Sequence, residues 1–201
     1  KMFDTICHEH LEYYSSQVII NLCKKNNLRV FDIKENDING SSKQYFICHT
    51  HSKFKTNERI ITTILKGETK LKLTDEKTFK NFIYRINDSK LKLYKYLKKL
   101  KKLGKKVHGY GASTKGNVLL QYFKIDNQLI DFIAERNKSK YNLYTPGTKI
   151  KIISEVVSRF YKPDYYLVLP WHFKNEILIR EKEIRKKGTK FIFPLPNFKI
   201  I

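Results

Sequence analysis

Acidic residues are scarce in this sequence: 19 Asp and Glu stand against 41 Lys and Arg, a formal net charge of +22. An excess of that size makes nucleic acid the first partner to weigh. Most of it is lysine, spread along the chain with one dense run from Lys95 to Lys106. Base-edge and bidentate phosphate recognition favour arginine, so specific nucleic-acid binding is not expected, and only salt-sensitive sticking to polyanions is. Cysteine is nearly missing. Cys7, Cys23 and Cys48 are odd in number and lack C-x-x-C spacing, which excludes a disulfide framework and a zinc knuckle and points to reduced thiols in a cytoplasmic setting. No apolar run approaches the ~20 residues of a membrane span, so no membrane partner is expected. The N-terminus shows no signal-peptide pattern, and it begins with Lys1 instead of Met, as a piece of a longer protein would. There is no internal repeat and no low-complexity linker. Against these gaps, 41% hydrophobic and 13% aromatic residues over 201 positions supply the core of one sizeable domain, or of one domain and part of another.

The chain is organised around Val107-His108-Gly109-Tyr110-Gly111-Ala112-Ser113-Thr114-Lys115-Gly116-Asn117. Val107 to Tyr110 reads as a short buried strand, and Val118 to Phe123 as a helix with one apolar face. A glycine-rich turn between strand and helix builds an anion cradle: the backbone comes close, and the first helical turn offers N–H groups and the positive end of a dipole. Ser113, Thr114 and Asn117 add donors, and Lys115 adds a charge. The third glycine comes too late for G-x-G-x-x-G, and Lys115 precedes Gly116 where a Walker A loop would have it follow. The pattern alone therefore says phosphate or carboxylate site at a βα turn. The alternative is a tight turn whose glycines serve only close strand–helix packing.

Before this turn, Ser15-Ser16 caps a helix through Lys25, and Leu28–Ile33 and Lys43–His49 form an antiparallel hairpin around Asn39-Gly40. His49 and His51 follow as surface residues. Ser52 to about Lys70 is a polar connector. Apolar residues from Phe79 to Leu100 recur at helical spacing, as one long helix or two broken near Asn87-Asp88-Ser89. After the turn come a strand at 129–134, ending in Glu135-Arg136-Asn137, and a turn at 144–148. A short strand at 150–153 precedes a helix capped by Ser154. A strand at 165–169, a helix from Pro170 to Lys187 and a strand at 190–193 complete the chain. Such alternation implies an α/β fold, a parallel sheet with helices on both faces. Ligands of these sheets sit at the carboxyl ends of the strands, which would gather the glycine turn, Glu135-Arg136-Asn137 and Pro170-Trp171-His172.

The N-terminus carries a second cluster, His8-Glu9-His10. An imidazole can take a proton near neutral pH and a neighbouring carboxylate can steady its cation. The H-E-x-x-H zinc spacing is absent, and a solvated loop is the plain alternative. Asp4-Thr5-Ile6-Cys7-His8-Glu9-His10-Leu11 with Tyr13-Tyr14-Ser15 resembles the DTIYHEHLxYYS segment of the sugar C-methyltransferases, and Gly109 to Asn117 resembles their GYGASxKGN loop. Ile133 to Asn137, Tyr144 to Thr148, Pro163 to Tyr165, Leu169 to Phe173 and Gly188 to Pro196 match in the same order, over nearly the whole chain.

The resemblance implies an S-adenosylmethionine-dependent enzyme that methylates carbon 3 of a keto-deoxysugar on a nucleoside diphosphate. By the same resemblance, residues 1–52 are the end of the S-adenosylmethionine-binding domain, 53–103 a helical connector and 104–201 a Rossmann-like domain for the nucleotide sugar. The zinc cysteines and most of the methyl-donor site would lie before Lys1. His10 would be the general base, Glu9 would orient it or support charge, and His8 is a weaker candidate. Substrate contacts would come from Gly109, Tyr110, Gly111, Ala112, Ser113, Thr114, Lys115, Gly116 and Asn117. Glu135, Arg136, Tyr144, Trp171 and His172 complete the set, Trp171 and Tyr144 being equally suited to core packing. Two departures stand out: Cys7 replaces an active-site tyrosine, and Asn39-Gly40-Ser41-Ser42 replaces the family's HGGS. The rival readings are a non-catalytic nucleotide- or sugar-nucleotide-binding module and a polyanion-binding protein.

Overall fold

The computed structural model describes residues 2–201; Lys1 and the side chain of Asn39 lie outside the described residues. The chain divides into two compact units, one of residues 11–82 and one of residues 1–10 with 83–201.

The smaller unit is built on a hairpin. Helix α1, Ser16–Lys25, starts where the Ser15 hydroxyl accepts from the Val18 amide. Strands β1, Leu28–Asn36, and β2, Ser42–His49, pair antiparallel, with a register slip between Val30 and Asp32. Helix α2, Glu58–Leu71, comes next, capped by the Asn57 side chain. This helix occupies the stretch expected as a polar connector. Only Ile61 on it is fully buried, with Ile64 and Leu65 partly so, which leaves a thin apolar stripe on an otherwise charged segment. Those residues close over Ile20, Cys23, Val30 and Ile33. The Glu68 carboxylate accepts from the Ser16 amide at 2.8 Å and the Gln17 amide at 3.2 Å, so an acid from α2 caps the positive end of α1.

Helix α3, Glu76–Lys102, runs unbroken through Asn87-Asp88-Ser89. Lys92 and Asp88 pair across one turn there, which supports the helix where turn-forming residues suggested a break. Leu93, Leu97 and Leu100, one face of its second half, are buried.

The larger unit holds a six-stranded sheet. Its strands are β3, Val107–Tyr110; β4, Phe132–Glu135; β5, Ile152–Ser154; β6, Tyr165–Val168; β7, Lys190–Phe193; and β8, Lys199–Ile200. Their order is β5-β4-β3-β6-β7-β8, parallel except for the antiparallel edge strand β8. The crossover helices are α4, Thr114–Phe123; α5, Glu155–Phe160; and the pair α6, Lys174–Arg180, with α7, Lys182–Lys186. Right-handed crossovers put α4 on one face and the other three on the opposite face. The expected doubly covered parallel sheet is what forms. One helix was expected from Pro170 to Lys187; instead a 3-10 turn at Trp171–Phe173 leads into two short helices that part at Glu181. Val107, Leu119, Phe123, Ile130, Ile133, Tyr166, Leu167, Phe191 and Ile192 fill the core. Strand order turns back between β3 and β6, and at such a switch point the loops leaving two neighbouring strands diverge and open a crevice. No helix among the described residues is long and apolar enough to cross a membrane.

Candidate functional site

The glycine turn lies at this switch point. Ser113 caps α4, its hydroxyl accepting from the Gly116 amide at 3.0 Å. Packing alone accounts for all three glycines. A Cβ on Gly109 would stand 2.3 Å from Ile133 Cδ1, and one on Gly116 would stand 2.8 Å from Leu169 Cβ. Gly111 takes φ +83°, and a Cβ there would meet the Pro170 ring at 2.8 Å. Close packing, the bland alternative of the sequence, is thus real; it is also compatible with a ligand at the helix end.

Several amides of the turn already have partners. Ala112 N–H donates to Glu135 Oε2 at 2.6 Å, and Ser113 N–H donates to the Gly111 carbonyl at 3.2 Å. Glu135 Oε1 accepts from the Arg136 and Asn137 amides, both at 2.8 Å. Glu135 therefore folds back on the backbone as an internal anion. Lys140 Nζ donates to the Ala112 carbonyl at 2.7 Å from the other side.

Two cavities flank the turn within this unit. The first, about 530 Å³, is lined by Tyr110 to Ser113, Glu135, Arg136, Lys140, Glu155, Phe173, Glu176 and Arg180 among others. An ionic lattice forms part of its wall. Glu181, 2% exposed, accepts from the Tyr110 hydroxyl at 2.6 Å and from Arg159 Nη2 at 2.6 Å. Arg180 bonds the Tyr110 hydroxyl and reaches Glu155 Oε1 at 2.6 Å. Burial works to raise the Glu181 carboxyl, but hydrogen bonds from Arg159 and Tyr110 and the two guanidinium charges hold it below its ordinary value. Burial, with the bond to Glu181, drives the Tyr110 phenol far above its own.

The second cavity, about 680 Å³, is lined by Ile6, Cys7 and His8 together with Thr114, Asn117, Val118, Gln121, Tyr122 and Pro146. The N-terminal motif thus lies along α4. Phe3 stacks on Phe123 with ring centroids 5.2 Å apart, and the buried Asp4 carboxylate accepts from Trp171 Nε1 at 2.7 Å. His10 is exposed, and its Nδ1 lies 2.7 Å from the Thr5 carbonyl. A carbonyl only accepts, so Nδ1 carries the hydrogen, and in the neutral ring Nε2 carries the lone pair.

Residues 37–196 match the family model of the C-methyltransferase C-terminal domain. The chain belongs to that family. It is also 32% identical over 199 residues to the C-methyltransferase NovU of Streptomyces niveus, across 99% of this chain and 47% of that protein. The chain spans about half the length of this curated relative. The histidine cluster precedes the stretch matched to the C-methyltransferase domain but falls within the alignment to NovU.

Of the residues expected at the site, the structure brings Tyr110 to Ser113, Glu135 and Arg136 to one cavity, and His8, Thr114 and Asn117 to the other. Glu9, His10, Gly109, Lys115, Gly116, Tyr144, Trp171 and His172 line neither. Tyr144 is 60% exposed in an isolated bridge with Lys151. Trp171 is buried against Asp4, and the half-buried His172 has its Nδ1 out of solvent with no partner among the described residues. Burial, then the nearby Lys115, lowers the His172 pKa. Sequence reasoning missed Lys140, Glu155 and Arg180. Glu155 comes directly after the end of β5, so the strand-end rule could have found it; Arg180 comes from the end of a helix and carries no such signal. Among the described residues no group of three or more His, Cys, Asp or Glu is arranged to hold a metal ion.

Proposed function

We propose that this chain is the acceptor-binding half of an S-adenosylmethionine-dependent C-methyltransferase whose substrate is a keto-deoxysugar on a nucleoside diphosphate. The carrying observation is that Cys7 and His8 share a cavity with Thr114 and Asn117, so the histidine segment borders the end of α4. A diphosphate at that helix end would meet the dipole, the Lys115 charge and the Ser113, Thr114 and Asn117 side chains. Its nucleoside would extend into the cavity of Tyr110, Arg136, Glu155 and Arg180, and its sugar toward Cys7 and His8. His10 Nε2 would then take the proton from the carbon beside the sugar carbonyl, the C–H electron pair passing to the carbonyl oxygen as an enolate. Glu9 would steady the imidazolium, and His8 is the weaker candidate for the base.

S-adenosylmethionine supplies an electrophilic methyl group. The described residues do not fit its site: they contain one glycine-rich βα turn, and the carboxylate that comes after it, Glu135, is spent on three backbone amides. The reading therefore gives this chain the acceptor and the base, and places the donor on the rest of the enzyme. Zinc, likewise, has no candidate cluster among the described residues.

The test is His10→Ala and Lys115→Ala in the intact enzyme. The first should abolish turnover while acceptor binding survives; equal loss of both would make the histidine structural. The second should weaken nucleotide-sugar binding about tenfold, the loss of one charge-assisted contact, without unfolding the domain. An unchanged Kd would remove the loop from the site. Cys7 favours one rival reading: a thiol cannot reach as a phenol does, and a sugar-nucleotide-binding module without catalysis would bind normally and show no turnover.

A further inference from the structure

Asp4 lies just ahead of the histidine cluster, yet it is 0% exposed and its partner is 167 residues away. Trp171 Nε1 donates to Asp4 Oδ2 at 2.7 Å, while Asp4 Oδ1 is buried with no partner among the described residues. A carboxylate out of water with one oxygen unsatisfied weakens a fold, so its presence calls for a reason. Its neighbours along the chain supply one. Phe3, 4% exposed, stacks on Phe123 of the sheet domain. The turn Phe3–Thr5 closes through Ile6 N–H to the Phe3 carbonyl at 2.9 Å and Thr5 Oγ1 to the Met2 carbonyl at 2.9 Å. The Thr5 carbonyl, in the residue after Asp4, then receives His10 Nδ1 at 2.7 Å, and His10 N–H closes a second turn on the Cys7 carbonyl at 3.0 Å. An exposed imidazole is thus tied, through one carbonyl, to a residue locked into the core.

We propose that Asp4, gripped by Trp171, is a positioning residue that fixes the ring orientation and tautomer of His10 and thereby sets the base over the acceptor. The proposal rests on the assignment of His10 as base, but the latch itself can be read without catalysis. Loss of the indole bond frees the Phe3–Thr5 turn to shift, the Thr5 carbonyl moves, and Nε2 no longer points where it did. A misplacement of about 1 Å costs a reaction roughly a hundredfold in rate.

The structural readout uses the chain alone. Trp171 is its single tryptophan, so one indole N–H resonance and one emission band report the latch. In Asp4→Ala both should move, and the His10 ring nitrogens should pass from an Nδ1–H pattern to a tautomer mixture. An unchanged His10 ring overturns the latch whatever His10 does in catalysis. The kinetic readout uses the intact enzyme. Asp4→Ala and Trp171→Phe should each lower kcat about 10- to 100-fold with acceptor KM within about twofold. Asp4→Asn, which keeps an oxygen acceptor for the indole, should recover to within about threefold. If Asp4→Ala fails to fold, Trp171→Phe, which keeps an aromatic ring there but no N–H donor, decides through the His10 ring spectra and kcat. Free imidazole rescuing His10→Ala supplies the last discriminator, since a diffusible base needs no positioning. Adding Asp4→Ala should leave the rescued rate unchanged; a further loss there would show that Asp4 acts elsewhere and overturn the proposal. If His10→Ala itself keeps full turnover, the base assignment fails, while the ring spectra still decide the latch.

Discussion

His108 should make this protein lose stability between neutral pH and pH 5, a range in which the depressed carboxylates contribute little. The residue sits on β3 immediately before Gly109 and is 1% exposed. Its Nδ1 lies 2.8 Å from Ser158 Oγ, which lies 2.8 Å from the Tyr166 hydroxyl, a neutral chain linking β3, α5 and β6. Burial, reinforced by Lys106, outweighs the attraction of Asp131 and holds the ring pKa near 4, against 6.5 for the free side chain. Between those values the unfolded chain takes up a proton that the folded chain refuses. Stability is therefore full above about pH 6.5 and falls as the pH drops toward 4. Each pH unit is worth about 1.4 kcal/mol, so the whole window is worth about 3 kcal/mol, of which about 2 kcal/mol goes between pH 7 and pH 5.

Urea denaturation at pH 7, 6 and 5 reads this directly. Glu68, Asp164 and Glu181 have folded pKa values below their ordinary ones, so their stabilising effect is present above the unfolded values, about 4 to 4.5, and is lost only below them. Working above pH 5 separates the two effects. His172, lowered by burial and then by Lys115, contributes in the same direction as His108. In His108→Asn, which offers a neutral hydrogen-bonding group to Ser158, the drop from pH 7 to pH 5 should shrink by about 2 kcal/mol, whatever the substitution costs at pH 7. A wild-type curve flat to within about 0.5 kcal/mol, or a variant with the wild-type slope, would refute the reasoning.

Two further substitutions, each set against a control elsewhere, test the packing around the site. Gly116→Ala puts a methyl 2.8 Å from Leu169 Cβ, whereas Gly67→Ala in α2 meets nothing within 4 Å. Alanine should therefore gain up to about 1 kcal/mol at Gly67 from helix propensity, and lose about 1–2 kcal/mol at Gly116, where overpacking exceeds that gain. Equal gains at both in thermal melts would mean that α4 can back away from β6. Glu181→Ala strips Arg159 and Arg180 of their buried acceptor and should cost about 3–5 kcal/mol, against less than about 0.5 kcal/mol for the exposed Glu183→Ala. A cost under about 1 kcal/mol at Glu181 would show that water enters the lattice and takes its place.

The sheet was legible because each of its parallel strands is a short apolar run between strong punctuation. Val107–Tyr110 and Lys190–Phe193 come out at their expected bounds, and Ser154 caps α5 as its position suggested. β4 begins at Phe132, three residues later than expected, because Leu129 and Ile130 fold back in a turn held by Asp126. An apolar pair looks the same in a buried turn as in a strand. β8 went unseen because a two-residue edge strand has no period to detect. Helix α2 left no periodic trace, although the family resemblance puts its stretch inside a helical connector: one buried residue in fourteen is a weaker signal than the charges around it. At the site, the glycine turn and the strand ends could be read, since topology fixes which loops share an edge. The Asp4–Trp171 bond could not, because a contact across 167 residues leaves no local trace.

The glycine turn shows how narrow a functional claim becomes once packing is subtracted. Ile133, Leu169 and Pro170 require Gly109, Gly116 and Gly111 with no ligand in view. Ala112, Ser113 and Gly116 spend their amides on Glu135, Gly111 and Ser113. Glycine count and exposed N–H groups, the features that first suggested a cradle, are thus largely consumed by the fold. What still points to an anion is the dipole of α4 together with the side chains that its first turn carries, Lys115 among them. To these is added one unforced choice: the chain buries a carboxylate at Asp4, with one oxygen unsatisfied, to hold the histidine segment against that turn. An N-terminal segment needing only an apolar anchor would be served by Phe3 on Phe123. The extra cost at Asp4 is explained if the placing of the neighbouring histidines matters more than the stability it takes away.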